Sequence, residues 1–281
     1  MAARTDGSAS RNVAFLVAYD GTDYHGFAES DGVPTVLGVF RPAIERIVRR
    51  PVELTGAGRT DAGVHAWGQV ISCRLPVDVD LDRLGHSLNR MCGPSIVVRE
   101  AWPVAADFSA RFSATARSYR YEIWNDSVPN PFLARTTWHV PVALDASAMN
   151  EAAHALLGDR DFSSFCRRPK PRSGHDDPSL VRRLLAARWQ QVSPRGDDDG
   201  LTASGRLLRF EITATSFCHQ MVRSIVGTLV DVGLGRRPAD AMAAVLDARD
   251  RNAAGQVAPP VGLTLWSVDY SGRRWDADVG T

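Results

Sequence analysis

Apolar and polar positions along this chain follow two periods that alternate with each other. Asn12–Tyr19 (NVAFLVAY) is short and almost wholly apolar, the pattern of a buried strand. From Thr35 to Arg49 the apolar residues Val36, Val39, Phe40, Ala43, Ile44, Ile47 and Val48 recur at helical spacing. Thr35 is placed to cap that helix, and Pro42 is expected in its first turns or at a bend. Val52–Leu54 and Val70–Leu75 are strand-like runs on either side of a glycine-rich turn. Leu81–Met91 returns to the helical period and Ile96–Trp102 to the strand, so the first part reads β-α-β-β-α-β. In the second part Arg117–Trp124 alternates as a strand. Asp145–Leu157 is a helix capped by Asp145, Leu180–Val192 ends as a strand, and Leu207–Thr215 is another. Cys218–Leu234 predicts a long amphipathic helix, Pro238–Ala248 a second, and Leu263–Tyr270 a closing strand. That order is β-α-β-β-α-α-β.

Two runs of similar order predict an α+β chain: two tandem α/β halves with mixed or antiparallel sheets backed by helices, and an active-site cleft between them. The expected limits are a small, polar, disordered tail over 1–11, an N-terminal half over 12–106 and a C-terminal half over 107–281. No internal sequence repeat accompanies this order. Cys166–Ser179, basic then acidic and rich in proline, reads as a loop, and Ser193–Gly200 as a hairpin tip with solvated aspartates.

The turn of the first half, within Leu54–Gln69 (LTGAGRTDAGVHAWGQ), holds Gly56, Gly58, Gly63 and Gly68 around one carboxylate, Asp61. Such glycines permit positive φ and close approach of a ligand to the backbone. Asp61 is either a turn-former or a placed reactive group. Arg59, two residues away, favours an ionised carboxylate.

Composition narrows the field. With 44% hydrophobic and 23% charged residues the chain is ordinary for a globular protein large enough for a substantial core. No apolar run reaches the roughly 20 residues that span a bilayer, and the N-terminal residues lack a secretory apolar segment, so the expected setting is the cytoplasm without a membrane partner. Cys73, Cys92, Cys166 and Cys218 stand far apart, which predicts inert thiols with neither disulfides nor a zinc site. The seven histidines, His65 and His219 among them, show no metal-ligand spacing, so no metal is expected. A net charge of +1 requires any nucleic-acid surface to be segregated on one face. Lys170 is the single lysine; 32 of the 33 basic residues are arginines, suited to bidentate phosphate contacts.

GAGRTDAGVH, ARFSATARSYRY, DFSSF, the F-x-H-x-M-V-R pattern of Phe217–Arg223 and APPVGLTL occur in that order. Together they resemble the bacterial tRNA pseudouridine synthase A (TruA-like) family, across nearly the whole chain. The resemblance implies an isomerase that breaks the glycosidic bond of uridine, rotates the base and rejoins it through C5, with no cofactor. This chemistry needs a carboxylate near C1′, and the family's aspartate falls on Asp61. Whether it attacks C1′, attacks the base or takes a ribose proton is left open. The family's tyrosine, which removes the C5 proton and stacks on the flipped uracil, falls on Tyr119; spacing alone suits Tyr121 equally. The family's M-V-R arginine, a cation that keeps the aspartate ionised, falls on Arg223. Leu263 falls on the apolar pocket wall.

For substrate contacts the resemblance points to Arg59 for base flipping and to Phe108, Arg111 and Phe112 of FSARF for tRNA. It also suggests a basic loop with Arg168, Lys170 and Arg172. It further implies a homodimer acting on the anticodon stem-loop, at tRNA positions 38–40. The chain departs from the family pattern at Phe27-Ala28-Glu29, at Leu88–Pro94, in the first helix and at His219-Gln220. Those departures are expected to bear on substrate contacts and the dimer surface. Two rivals follow: a paralogue acting on another RNA or a free uridine nucleotide, and a non-catalytic RNA-binding module, against which Asp61, Tyr119 and Arg223 argue. A hydrolase using Asp61 is weaker, for want of a second carboxylate motif.

Overall fold

A computed structural model describes residues 9–167, 179–192 and 205–271, and the backbone of 273–275. The chain forms two compact units. One runs to Thr115 and resumes at Trp266; the other is Ala116–Leu265.

The first unit begins with β1 (Ser10–Tyr19), α1 (Val36–Val48), β2 (Thr55–Gly56), β3 (His65–Pro76), α2 (Leu81–Cys92) and β4 (Ile96–Val104). Then follow β5 (Ala114–Asn125), β6 (Trp138–Val140), α3 (Ala146–His154), β7 (Gly158–Asp161), β8 (Val181–Val192), β9 (Arg206–Ala214), α4 (Met221–Gly233), α5 (Ala241–Ala248), β10 (Leu263–Tyr270) and β11 (Arg273–Trp275). Ser10 and Arg11, expected in the tail, already belong to β1, where they pair with Pro76 and Leu75.

In the first unit the strand order is β4-β1-β3-β10, with β2 also on β3 and β11 on β10. The β1 pairings are antiparallel, Phe15 facing Ile71 on one side and Ala101 on the other. Being central, β1 is buried from Val13 to Tyr19, which accounts for its unbroken apolar sequence. Thr35 caps α1 by accepting from the Gly38 N–H at 3.1 Å, and Phe40 meets Phe15 edge-on at 6.0 Å. Helix α1 runs on through Pro42. Asp80 caps α2, whose buried residues Leu84, Leu88 and Cys92 form one stripe.

The second unit has the order β5-β9-β8-β7, all antiparallel, with β6 parallel to β5. Trp189 of β8 stacks on Phe210 of β9 at 4.9 Å. Helix α4 was expected to be amphipathic, but of its residues only Arg223 and Asp231 are not buried. It starts at Met221 rather than Cys218, after Gln220 in the left-handed region (φ 64°).

The halves share one device. Asn89 of α2 donates from Nδ2 to Val98 O (2.9 Å) and accepts the Val98 N–H (2.6 Å). Asn150 of α3 does the same to Trp189 O (2.9 Å) and N–H (2.8 Å). Each helix thus uses one amide to occupy a strand's backbone donor and acceptor.

The division differs from the expected boundary after 106. The segment 107–115 belongs with the first unit, where Phe108 packs on Tyr270 at 4.9 Å and Ala110 is held by Ser72 and Tyr270. The last strand returns there too. A boundary drawn along the sequence misses a strand that comes back from the C-terminus.

Candidate active site

Asp61 lies in the turn between β2 and β3, half-buried, with Arg59 exposed beside it. The strand expected over Val52–Leu54 is not formed; the strand before this turn is Thr55–Gly56, paired with Ser72 and Ile71. What shapes the turn comes largely from Asp20–Phe27, the D-G-T-D-Y-H-G-F stretch after β1. The Phe27 N–H donates to Thr60 O (3.1 Å), and the Gly63 N–H donates to Tyr24 O (3.2 Å). Within the turn the Val64 N–H closes onto Asp61 O at 3.1 Å. Gly63 has φ +76°, a conformation that a side chain resists. A Cβ on Gly21 would collide with the Val64 carbonyl, so the two segments lie backbone to backbone.

Side chains complete this bed. Gln69 Nε2 donates to Gly58 O at 2.8 Å, and the Tyr19 hydroxyl shares a 2.8 Å hydrogen bond with Thr60 Oγ1. Phe27 is 2% exposed, stacks with Tyr19 and lies against Gly56. The residue marking the first departure from the family pattern is thus core beneath the turn, not a substrate-facing surface. The Gly21 N–H donates to His65 Nδ1 at 3.0 Å, which makes that nitrogen an acceptor. Asp20 Oδ1 lies 3.2 Å from the same nitrogen.

The other candidate residues belong to the second unit. Tyr119 on β5 pairs with Ile212 of β9, is half-buried and meets Phe217 edge-on at 5.1 Å. Tyr121, two residues on, is fully buried and donates its hydroxyl to Pro259 O at 2.8 Å. Burial pushes the Tyr121 phenol far above the ordinary tyrosine range, and the Arg223 guanidinium only partly offsets this. Arg223, third residue of α4, donates from Nε to Ala258 O at 2.8 Å while its own carbonyl accepts the Ala258 N–H at 3.0 Å. One turn further, a Cβ at Gly227 would collide with the Gln256 carbonyl, and Thr228 Oγ1 accepts the Gly255 N–H at 2.9 Å. The 255–263 segment therefore lies along α4 and ends at Leu263, 6% exposed. Gly262 sits where a Cβ would press on the Tyr121 ring and Glu122 O.

Among the expected substrate contacts, Phe108 is half-buried against Tyr270, whereas Phe112 is 79% exposed with the Arg111 guanidinium 5.1 Å above its ring. Arg168, Lys170 and Arg172 lie outside the described residues, as does the expected hairpin tip after Val192. The expectation of four separate thiols is overturned. Cys166 and Cys218 form a disulfide across a Cα–Cα distance of 5.7 Å, beside an Arg167 N–H bond to His219 O of 3.0 Å. Fifty-two residues of sequence separation conceal the meeting of these two segments. Cys73 and Cys92 are free and buried.

Gln69, Tyr19 and Thr60 were not singled out from the sequence. The available signal was a glutamine directly before the strand-like run Val70–Leu75; its pairing with buried Val17 is set only by the sheet.

One unit holds a carboxylate on a pinned glycine-rich turn, and the other a strand tyrosine and a helix arginine, residue types that serve in acid–base and nucleophilic catalysis. Residues 15–113 and 152–271 match the family model described as tRNA pseudouridine synthase, and the chain belongs to that family. It is 38% identical over 260 residues to the tRNA pseudouridine synthase A of Acetivibrio thermocellus, covering 92% of this chain and 100% of that protein. The protein of the same name from Paramagnetospirillum magneticum is 42% identical over 259 residues, covering 91% and 94%. That from Rhizobium meliloti is 39% identical over 257 residues, covering 90% and 97%.

Proposed function

We propose that this chain isomerises uridine to pseudouridine in tRNA, with Asp61 as the carboxylate acting at the ribose–base linkage. Tyr119 serves as the group that stacks on the uracil and receives the C5 proton, and Arg223 supplies positive charge to the reacting centre. The atoms balance within one nucleotide: N1–C1′ breaks, C5–C1′ forms, the C5 proton leaves and N1 gains one. The observation that carries this reading is the Asp61 turn. Backbone and side-chain bonds hold it on both flanks, with Asp61 half-buried at its tip, in a chain of this family. The finer reading places the target in the anticodon stem-loop at positions 38–40, with Arg59, Arg111 and Phe112 on the RNA, and the enzyme acting as a cytoplasmic homodimer.

Incubation with unmodified tRNA, followed by mapping of pseudouridines, is expected to show product at those positions. Asp61→Asn is expected to abolish it while retaining tRNA binding. Modification of free UMP alone would overturn the tRNA assignment, and an active Asp61→Asn variant would overturn the site. Sedimentation at several protein concentrations tests the dimer.

A further inference from the structure

We infer that Gln69, acting with Tyr19 and Thr60, is a positioning residue for the turn that presents Asp61. This deepens the proposed function and rests on Asp61 being the reactive carboxylate.

Gln69 is 0% exposed, on β3 between Gly68 and Val70, in register with Val17. Its neighbours Val70 and Ile71 are themselves 0% exposed, so packing alone would be served by an apolar side chain of similar length. A buried amide is costly unless it is bonded. Its Nε2 donates to Gly58 O at 2.8 Å and approaches the Tyr19 hydroxyl at 3.5 Å. Because Gly58 offers a carbonyl, the amide nitrogen must face it. Oε1 is left buried without a hydrogen-bond partner among the described residues, a cost that an apolar residue would not carry. The Tyr19 hydroxyl, buried as well, continues the chain to Thr60 Oγ1 at 2.8 Å.

The two anchored residues are telling. Gly58 and Thr60 bracket Arg59, and Thr60 immediately precedes Asp61. Thr60 is gripped twice, through Oγ1 by Tyr19 and through its carbonyl by the Phe27 N–H. The path of the backbone into Asp61 is therefore set from beneath by an amide and a phenol that never face solvent. A glycine-rich turn has many accessible paths, and these bonds select one.

Gln69→Met keeps the volume and removes the amide. It is expected to lower kcat for tRNA by about 10- to 100-fold, with KM and the melting temperature near the wild-type values. Gln69→Glu supplies a pH readout. A buried carboxyl resists ionisation, and in its neutral form its O–H can replace the amide donor to Gly58 O. Its kcat is expected near wild type at the acid end and to fall as pH rises and the carboxyl ionises, a step absent from the parent enzyme. Tyr19→Phe, which keeps the ring on Phe27, is expected to lower kcat in the same direction. Asp61→Asn is run alongside. If it is active, the underlying site reading fails. If it is inactive while Gln69→Met has wild-type kcat, the positioning role alone is overturned. A Gln69→Met variant whose kcat falls only in step with its melting temperature, or a Gln69→Glu variant without the added pH step, also overturns that role.

Discussion

Tyr119 and Tyr121 share one face of β5, since strand side chains repeat every second residue, and nothing in their spacing separates them. Their surroundings do. Tyr121 is enclosed by Trp138, Gly262 and the Pro259 carbonyl that accepts its hydrogen bond, whereas Tyr119 is only half-buried beside Phe217. Tyr121→Phe is therefore expected to cost about 1–2 kcal/mol of stability by orphaning a buried acceptor, seen as a lower urea midpoint, with catalysis largely kept. Tyr119→Phe is expected to reverse that pattern, losing isomerisation at near-normal stability. A second residue-scale outcome concerns Cys73. Burial pushes its thiol from 9.0 up to about 12, and Arg50 pulls slightly the other way. The unfolded chain releases this proton from about pH 9, while the folded chain holds it to about pH 12. Cys73 thus favours folding fully below pH 9 and loses that contribution as pH rises toward 12. Urea midpoints measured from pH 8 to 11 should fall less steeply for Cys73→Ala than for the parent.

Among the elements, α4 shows how a short run of sequence serves two purposes. Its apolar period forecasts a helix, and burial on nearly every side makes Arg223 one of its few less buried residues. Gly227 decides how closely the 255–263 segment lies against it. Gly227→Ala gains about 1 kcal/mol of helix propensity, but its methyl group would meet a fixed carbonyl rather than a yielding side chain. The net expectation is a destabilisation of about 1–3 kcal/mol together with reduced activity, because the Arg223–Ala258 bonds lie one turn away. Gly58 offers the contrast. A Cβ there meets nothing within 4 Å, so Gly58→Ala should fold normally. Its melting temperature and its KM for tRNA then separate room needed by the protein from room needed by the substrate. Helices and long strands were legible because their periods are strong; β2, β6 and β7 were not, since two to four residues carry no period.

For the molecule as a whole, the return of the chain to its first unit matters most. Trp266 stacks with Trp67 at 6.1 Å, the backbone around Trp266 lies against Gly68, and the Tyr270 hydroxyl donates to Ala110 O at 2.7 Å. A chain ended at Leu265 is therefore expected to lose the fold of its first unit, including the bed of the Asp61 turn. Circular dichroism and proteolysis would show a protected second unit beside a cleaved first one. Survival of a compact first unit would show that β10 is dispensable to it.

The sequence by itself determined the alternation of helices and strands, the α+β class, and the family to which the GAGRTDAGVH and F-x-H-x-M-V-R patterns point. Those signals are local, written in side-chain period and in motifs a few residues long. Tertiary structure alone decided that Gln69 reaches Gly58, that Phe27 underlies the turn, that Tyr121 is sealed while Tyr119 is not, and that Cys166 meets Cys218. Each of these is a pairing of residues far apart along the chain or a matter of what covers a side chain. Neither leaves a period to read, because burial and contact are properties of the packed chain.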